Sequence, residues 1–289
     1  MASSGAARAA AKRLVVFGGT GFVGSAIAEE ATRRGLAVTC VTRTGAPPPH
    51  VAAAAWSASV DWRPGNALEP DTYRDALEGA DAVVTSVGRL PLPSLTREEV
   101  VRDNGETNVA PAREAKRAGV PRLVVVGASI PPFVPGMAFA VDARRGIHRA
   151  GYAEGKAIAE AYARDEFLAR TTTTDAGKET MSPETKERPE RSPDRDAKYD
   201  ASSAPGAVVL KPGGVSGTRH LASGAAIPLW MALSPASRLL RAVPVDAIAE
   251  LAPTPVECVA RAAVAAAVEP RFAGKFTAVS NLDMLREFA

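Results

Sequence analysis

Residues 13–31 read RLVVFGGTGFVGSAIAEEA. An apolar run from Leu14 to Phe17 ends in glycines at 18, 19, 21 and 24, after which apolar residues return at helical spacing. A short continuous apolar run closed by glycine is the mark of a strand buried on both faces. Glycines at these positions meet three steric demands: a tight turn off the strand, bare backbone beside a ligand, and close packing of helix on strand. The helix start then offers unpaired amides and a positive dipole end to a phosphate. Two frames fit, Gly19-x-Gly21-x-x-Gly24 and Gly18-x-x-Gly21-x-x-Gly24.

The same alternation continues outward. LAVTCVTR reads as a second strand, TYRDALEGA as a helix and DAVVTSVG as a strand. GETNVAPAREAKRAGV reads as a helix interrupted early by Pro111, PRLVVVGAS as a strand, and GYAEGKAIAEAYARDEF as a helix. Strands and helices alternating at this length form right-handed βαβ units, hence a parallel sheet covered on both faces. The expected fold is α/β, a doubly wound parallel Rossmann sheet.

Residues 1–12 read as a flexible tail: the start is rich in Ala, Ser and Arg, with no acidic residue before Glu29, as at the end of an organellar transit peptide. Residues 13–168 form the Rossmann core. Residues 169–204 contain no Val, Ile, Leu, Phe or Trp, and a segment with so little to bury cannot offset its ordering entropy, so a disordered charged insertion is expected. The sheet resumes at GAVVLKPGGVSG, and residues 205–289 add a small, mainly helical C-terminal substrate and lid region.

Composition excludes several classes. The formal net charge is only +3 and aromatics make up 5% of the chain, which speaks against a nucleic-acid surface. Cys40 and Cys258 lack metal-ligand or CxxC neighbours, and His50, His148 and His220 are scattered. Buried thiols and no metal are expected. No apolar run reaches the roughly 18 residues that a membrane span needs.

Two features bear on chemistry. The second strand ends in Thr42, Arg43 and Thr44, where an NAD site places an acidic residue for the ribose 2′-hydroxyl. Arginine beside hydroxyls suits a 2′-phosphate instead, so NADP(H) is expected over NAD(H). Tyr152 and Lys156 lie one turn apart on one helix face. A lysine there can hold the nicotinamide ribose and lower the tyrosine pKa, letting the phenol exchange a proton with a substrate oxygen. Ser129 stands where VVVGAS stops, on the carboxyl edge where such sheets bind ligands.

The motifs GGTGFVG, DNGETNV, VVVGAS, YAEGK and VLKPGGVSG stand in the order seen in extended and atypical short-chain dehydrogenase/reductases, which the chain resembles. The resemblance implies a catalytic set of Ser129, Tyr152 and Lys156, supported by Asn104, with Asn108 as second choice. It implies cofactor contacts from Gly18, Gly19, Thr20, Gly21, Phe22, Val23, Gly24, Arg43, Thr44, Asn66, Ser86, Val87, Gly88, Lys156, Pro212 and Gly213. A narrower likeness is to an organellar branch that includes a Rossmann protein of fungal coenzyme Q synthesis, chloroplast plastoglobule relatives and the nucleotide-binding accessory subunit of respiratory complex I. That likeness implies a prenylquinone-linked role, in the mitochondrion first and the plastid second.

Three functions follow. The first is an NADP(H)-dependent oxidoreductase acting on a small hydrophobic carbonyl or quinone-type substrate. The second is a non-catalytic NADPH-binding scaffold in a membrane-associated organellar complex. The third, ranked last, is a nucleotide-sugar epimerase or dehydratase. Gly151 and Gly155, beside the dyad, leave room for a bulky substrate or reflect loosened selection on the site.

Overall fold

A computed structural model of the chain describes residues 11–90, 94–129, 150–169, 204–220, 225–229, 231, 239–240 and 245–289. The expected tail and the charged insertion lie almost entirely outside these residues.

The strands in chain order are β1 (Arg13–Phe17), β2 (Ala37–Thr42), β3 (Val60–Pro64), β4 (Ala82–Thr85), β5 (Arg122–Val126) and β6 (Gly206–Leu210). Short pairs follow: β7 (Val215–Ser216) runs parallel to β10 (Thr254–Pro255), and β8 (Thr218–His220) antiparallel to β9 (Ala226–Pro228). The last strand is β11 (Phe276–Val279). Seven strands form one parallel sheet in the order β11-β6-β5-β4-β1-β2-β3. The order reverses between β1 and β4, which puts the ligand crevice at their carboxyl ends.

The helices are α1 (Phe22–Arg33), α2 (Pro49–Ala52), α3 (Arg97–Asn104), α4 (Glu106–Arg117), α5 (Ala150–Ala161), α6 (Asp246–Ala249), α7 (Val256–Val268) and α8 (Asn281–Glu287). Side-chain alternation along β1 divides the core. Leu14 and Val16 pack beneath α1 and α7, Val15 and Phe17 beneath α4 and α5. Cys40 and Cys258 are both buried on the α1–α7 side.

Several elements differ from the sequence expectation. TYRDALEGA forms two 3-10 turns, Pro70–Thr72 and Arg74–Leu77, rather than a helix. Between Pro70 and Gly79 there is too little chain to offset helix nucleation, and burying Tyr73 and Leu77 decides the local shape. Pro111 does not interrupt its helix. It lies inside α4 at the cost of one hydrogen bond to the Thr107 carbonyl, and the break falls at Gly105, between α3 and α4. Strand β3 and helix α3 have no counterpart in the sequence reading, although a capping box of Thr96 and Glu99 marks the start of α3.

The C-terminal part is helical, but much of it belongs to the sheet's own layers. Ten of the thirteen residues of α7 are buried, most of them alanine, which lets α7 lie close on α1. Arg122, buried at the start of β5, donates to the carbonyls of Ala266 and Glu269 at the end of that helix, 3.3 Å each. Strand β11 joins the sheet at its edge beside β6. Within the C-terminal region expected to be mainly helical, the stretch IPLWMALSPASRLL opens with a strand at Ile227 and Pro228, and most of its remainder lies outside the described residues.

Candidate active site

The strand ends meet around a cavity of about 350 Å³. Its wall brings together Gly21, Phe22, Val23, Ser86, Gly88, Ser129, Tyr152, Lys156, Pro212 and Gly213, ten of the residues singled out in the sequence.

The glycine turn supports the frame of Gly18, Gly21 and Gly24. Gly18 has φ +88°, and the Gly21 amide donates to its carbonyl at 2.9 Å, closing the turn. A Cβ on Gly24 would lie 2.1 Å from that same carbonyl oxygen, so only glycine lets α1 dock there. Gly19 serves the packing of β2 instead, since a Cβ there would meet the Cys40 sulfur at 2.5 Å. No side chain caps α1 at Gly21, which leaves its first amides open beside the cavity.

Lys156 is held by the ends of two strands. Its Nζ donates to the Val126 carbonyl at 3.0 Å and the Val87 carbonyl at 3.3 Å. The residue is 7% exposed, and burial pulls its pKa down to about 8. An ammonium has three donors, so one remains for a ligand. Val87 itself stands behind the wall, where its carbonyl also accepts from Asn108 Nδ2 at 3.0 Å. Asn104 pins the next turn: its Oδ1 accepts from the Arg89 amide at 3.1 Å, and its Nδ2 donates to the Arg89 and Val100 carbonyls at 2.9 Å each. Both asparagines therefore shape the loop after β4 rather than enter the cavity.

Ser129 reaches the cavity just past β5, its amide donating to the Pro212 carbonyl at 2.7 Å. Tyr152 faces the same space, its ring centroid 5.9 Å from the Lys156 ammonium. The expectation that Lys156 lowers the tyrosine pKa is corrected here. Burial pushes the phenol up, and the charge that pulls it the other way is Arg219. The physical reason is that Lys156, its pKa pulled down to about 8, has given up its charge before a phenol raised above 10.0 titrates.

Gly151 and Gly155 do not open the substrate space. A Cβ on Gly155 would meet the Val101 carbonyl oxygen at 2.7 Å and Asn104 Cβ at 2.8 Å, and one on Gly151 the Arg97 carbonyl oxygen at 2.9 Å. They are the contact by which α5 rides against α3.

The other expected cofactor residues stand apart from this wall. Gly18, Gly19 and Gly24 lie beneath it. Thr20 lines a different groove, between α1 and α7. Asn66 spends its side chain on its own loop, donating to Glu69 Oε1 at 2.7 Å and accepting from the Leu68 amide at 3.1 Å. Arg43 and Thr44 lie just past the end of β2, toward the adenosine side of such a crevice. Arg43 has no hydrogen bond or ion pair among the described residues.

Sequence reasoning missed Arg89, Leu90, Arg219 and Leu229 in the wall. It also missed Asn281, which is fully buried behind Gly213: the Gly213 amide donates to its Oδ1 at 2.7 Å, and its Nδ2 donates to the carbonyls of Glu250 and Ala252. The SNLD sequence carries the signal of a helix start, since Ser280 and Asp283 form a capping box; nothing local in it points to the cavity.

The open amides at the start of α1, the spare donor of Lys156 and the absence of any acidic side chain from the described cavity wall all suit a dinucleotide. A family model described as NAD(P)H-binding matches residues 18–195. The chain belongs to the NAD(P)H-binding family. Among curated relatives, an uncharacterised chloroplastic protein of Arabidopsis thaliana is 29% identical over 279 residues, covering 92% of this chain and 75% of its own length. MIOREX complex component 2 of Saccharomyces cerevisiae is 38% identical over 80 residues, 27% of this chain and 29% of its own. Among solved structures, a short-chain dehydrogenase from Burkholderia cenocepacia in complex with NADP superimposes with a TM-score of 0.58 at 16% identity, covering 93% of this chain and 96% of that one. This member of the NAD(P)H-binding family thus has the short-chain dehydrogenase/reductase fold.

Proposed function

We propose that the protein is an NADP(H)-dependent oxidoreductase that reduces a hydrophobic carbonyl or quinone-type compound, or runs the reverse, in an organelle. The observation that carries this is the convergence of Ser129, Tyr152 and Lys156 on one cavity that also reaches Gly21 at the start of α1. A bound nicotinamide supplies or accepts the hydride. Lys156 offers its remaining donor to a ribose hydroxyl. Tyr152, whose pKa burial raises, stays protonated at neutral pH and is suited to give its proton to a carbonyl oxygen as that oxygen gains charge. Ser129 donates a hydrogen bond to the same oxygen. Leu90 and Leu229 supply an apolar wall.

Arg43, which stands beside Thr44 with no partner among the described residues, supports NADP(H) over NAD(H), and the chloroplastic relative supports an organellar location. A fluorescence titration with NADPH and then NADH tests the assignment. Wild type is expected to prefer NADPH about tenfold or more, and Arg43→Ala to lose that preference while keeping NADH affinity. Equal affinity in wild type would remove Arg43 as the phosphate reader.

A second reading, an NADPH-holding scaffold within an organellar assembly, is favoured by the commitment of Lys156 to two carbonyls and by the yeast relative's place in a complex. It requires a nucleotide that does not exchange and no turnover of quinone or carbonyl compounds.

A further inference from the structure

The cavity wall carries positive charge beyond what the hydride chemistry uses. Three cationic side chains face it, Arg89, Lys156 and Arg219, and no Asp or Glu does among the described residues. Two of the three are accounted for. Lys156 is held by the Val87 and Val126 carbonyls, and Arg89 pairs with Asp103 at 3.2 Å. Arg219 has no hydrogen bond or ion pair among the described residues. It is half-buried all the same, and an arginine withdrawn from water without a counter-charge calls for an anion.

The backbone fixes where Arg219 sits. Gly217 has φ +147°, and a Cβ there would lie 2.9 Å from both the Phe22 ring and Val256 Cγ1. The chain thus passes between the start of α1 and the start of α7 before β8 pairs with β9, Arg219 opposite Ile227. That pairing sets Arg219 on the same wall as Tyr152, close enough for its charge to act on the phenol. Leu90 and Leu229 flank the space.

We propose that Arg219 receives an anionic group, a carboxylate in the first instance, on an otherwise apolar substrate held against Leu90 and Leu229. This rests on the oxidoreductase reading and narrows its substrate to an acidic carbonyl or alcohol compound. The anion could otherwise come from the cofactor's own pyrophosphate, which belongs at the Gly21 end of the cavity. The chain at Gly217 runs beside Phe22 at the start of α1, so both sources face the same wall, and titrations with acid, ester and NADPH separate them.

The test uses calorimetric titration at low ionic strength with 2-naphthoate and its uncharged methyl ester as probes. Both are titrated into NADPH-loaded and nucleotide-free protein. Wild type is expected to bind the acid about tenfold or more tightly than the ester. Arg219→Gln removes that preference with NADPH affinity unchanged, and Arg219→Lys restores part of it. The partial rescue excludes simple misfolding of β8. Three results overturn the proposal: equal binding of acid and ester by wild type, no binding of either at millimolar concentration, or an Arg219→Gln protein that keeps the acid preference and loses NADPH affinity. The last assigns the guanidinium to the pyrophosphate. A wild type that binds no NADPH defeats the oxidoreductase reading instead, and the nucleotide-free titrations still decide the role of Arg219.

Discussion

The Oδ1 of Asn281 accepts a hydrogen bond from the backbone amide of Gly213 at 2.7 Å. The first residue of the last helix thus holds a wall of the nucleotide cavity. The Thr254 hydroxyl donates to the same oxygen, and the Nδ2 caps two more backbone carbonyls. Asn281→Ala strands several buried groups at once and is expected to cost about 2–4 kcal/mol of stability. NADPH affinity should fall several-fold as Gly213 relaxes. Urea unfolding and a nucleotide titration check this; a stability loss below about 1 kcal/mol would show that water replaces the network.

Tyr152→Phe keeps the ring and removes the proton. If Tyr152 is the proton donor, kcat/KM for reduction should fall about 100- to 10,000-fold, with NADPH affinity within about twofold of wild type. Single-turnover oxidation of bound NADPH in the presence of substrate reads the step directly. Undiminished turnover would take the phenol out of the chemistry.

Lys156 makes a pH prediction. Burial lowers its pKa from 10.5 to about 8 in the folded protein, so between these values the unfolded chain holds a proton that the folded one has released. Stability therefore rises with pH across the window from about 8 to 10.5, by roughly 3 kcal/mol in total, and is unaffected by this group above it. Lys156→Met should lack that rise. Urea midpoints at several pH values, taken as wild type minus variant, isolate the effect, because Cys40 and Tyr73 are pushed up by burial and tilt both proteins the opposite way.

At Gly155 two effects compete. Alanine improves helix propensity by about 1 kcal/mol, but its methyl would meet the Val101 carbonyl oxygen at 2.7 Å and the Gly105 amide at 3.0 Å, both backbone. Overpacking of this kind costs about 1–3 kcal/mol. Gly155→Ala is expected to lower Tm by several degrees; a raised Tm would mean that α5 can slide away from α3 without loss.

The βαβ frame was legible because it is written in local pattern: apolar runs closed by glycine, and helices of regular spacing. Ser129, Tyr152 and Lys156 were legible because strand end and helix face place them whatever the details. What escaped depends on contacts distant in sequence. Arg219 enters the wall only through the pairing of β8 with β9, and Asn281 reaches Gly213 across 68 positions. The glycines of α5 allowed two readings, substrate space or loosened selection, because a sequence does not show the helix packed behind them. TYRDALEGA carries a helical pattern, but the burial of Tyr73 and Leu77 outweighs it.

The clamp of Lys156 across Val87 and Val126 changes what its presence in a related chain can mean. Replacing it would take a donor from the Val126 carbonyl and leave the Val87 carbonyl to Asn108, whether or not any substrate is ever turned over. A descendant that had abandoned catalysis would still be under pressure to keep this lysine, while its tyrosine and serine drifted. Tyr152 and Ser129 are therefore the informative positions for telling a working enzyme from a retired one.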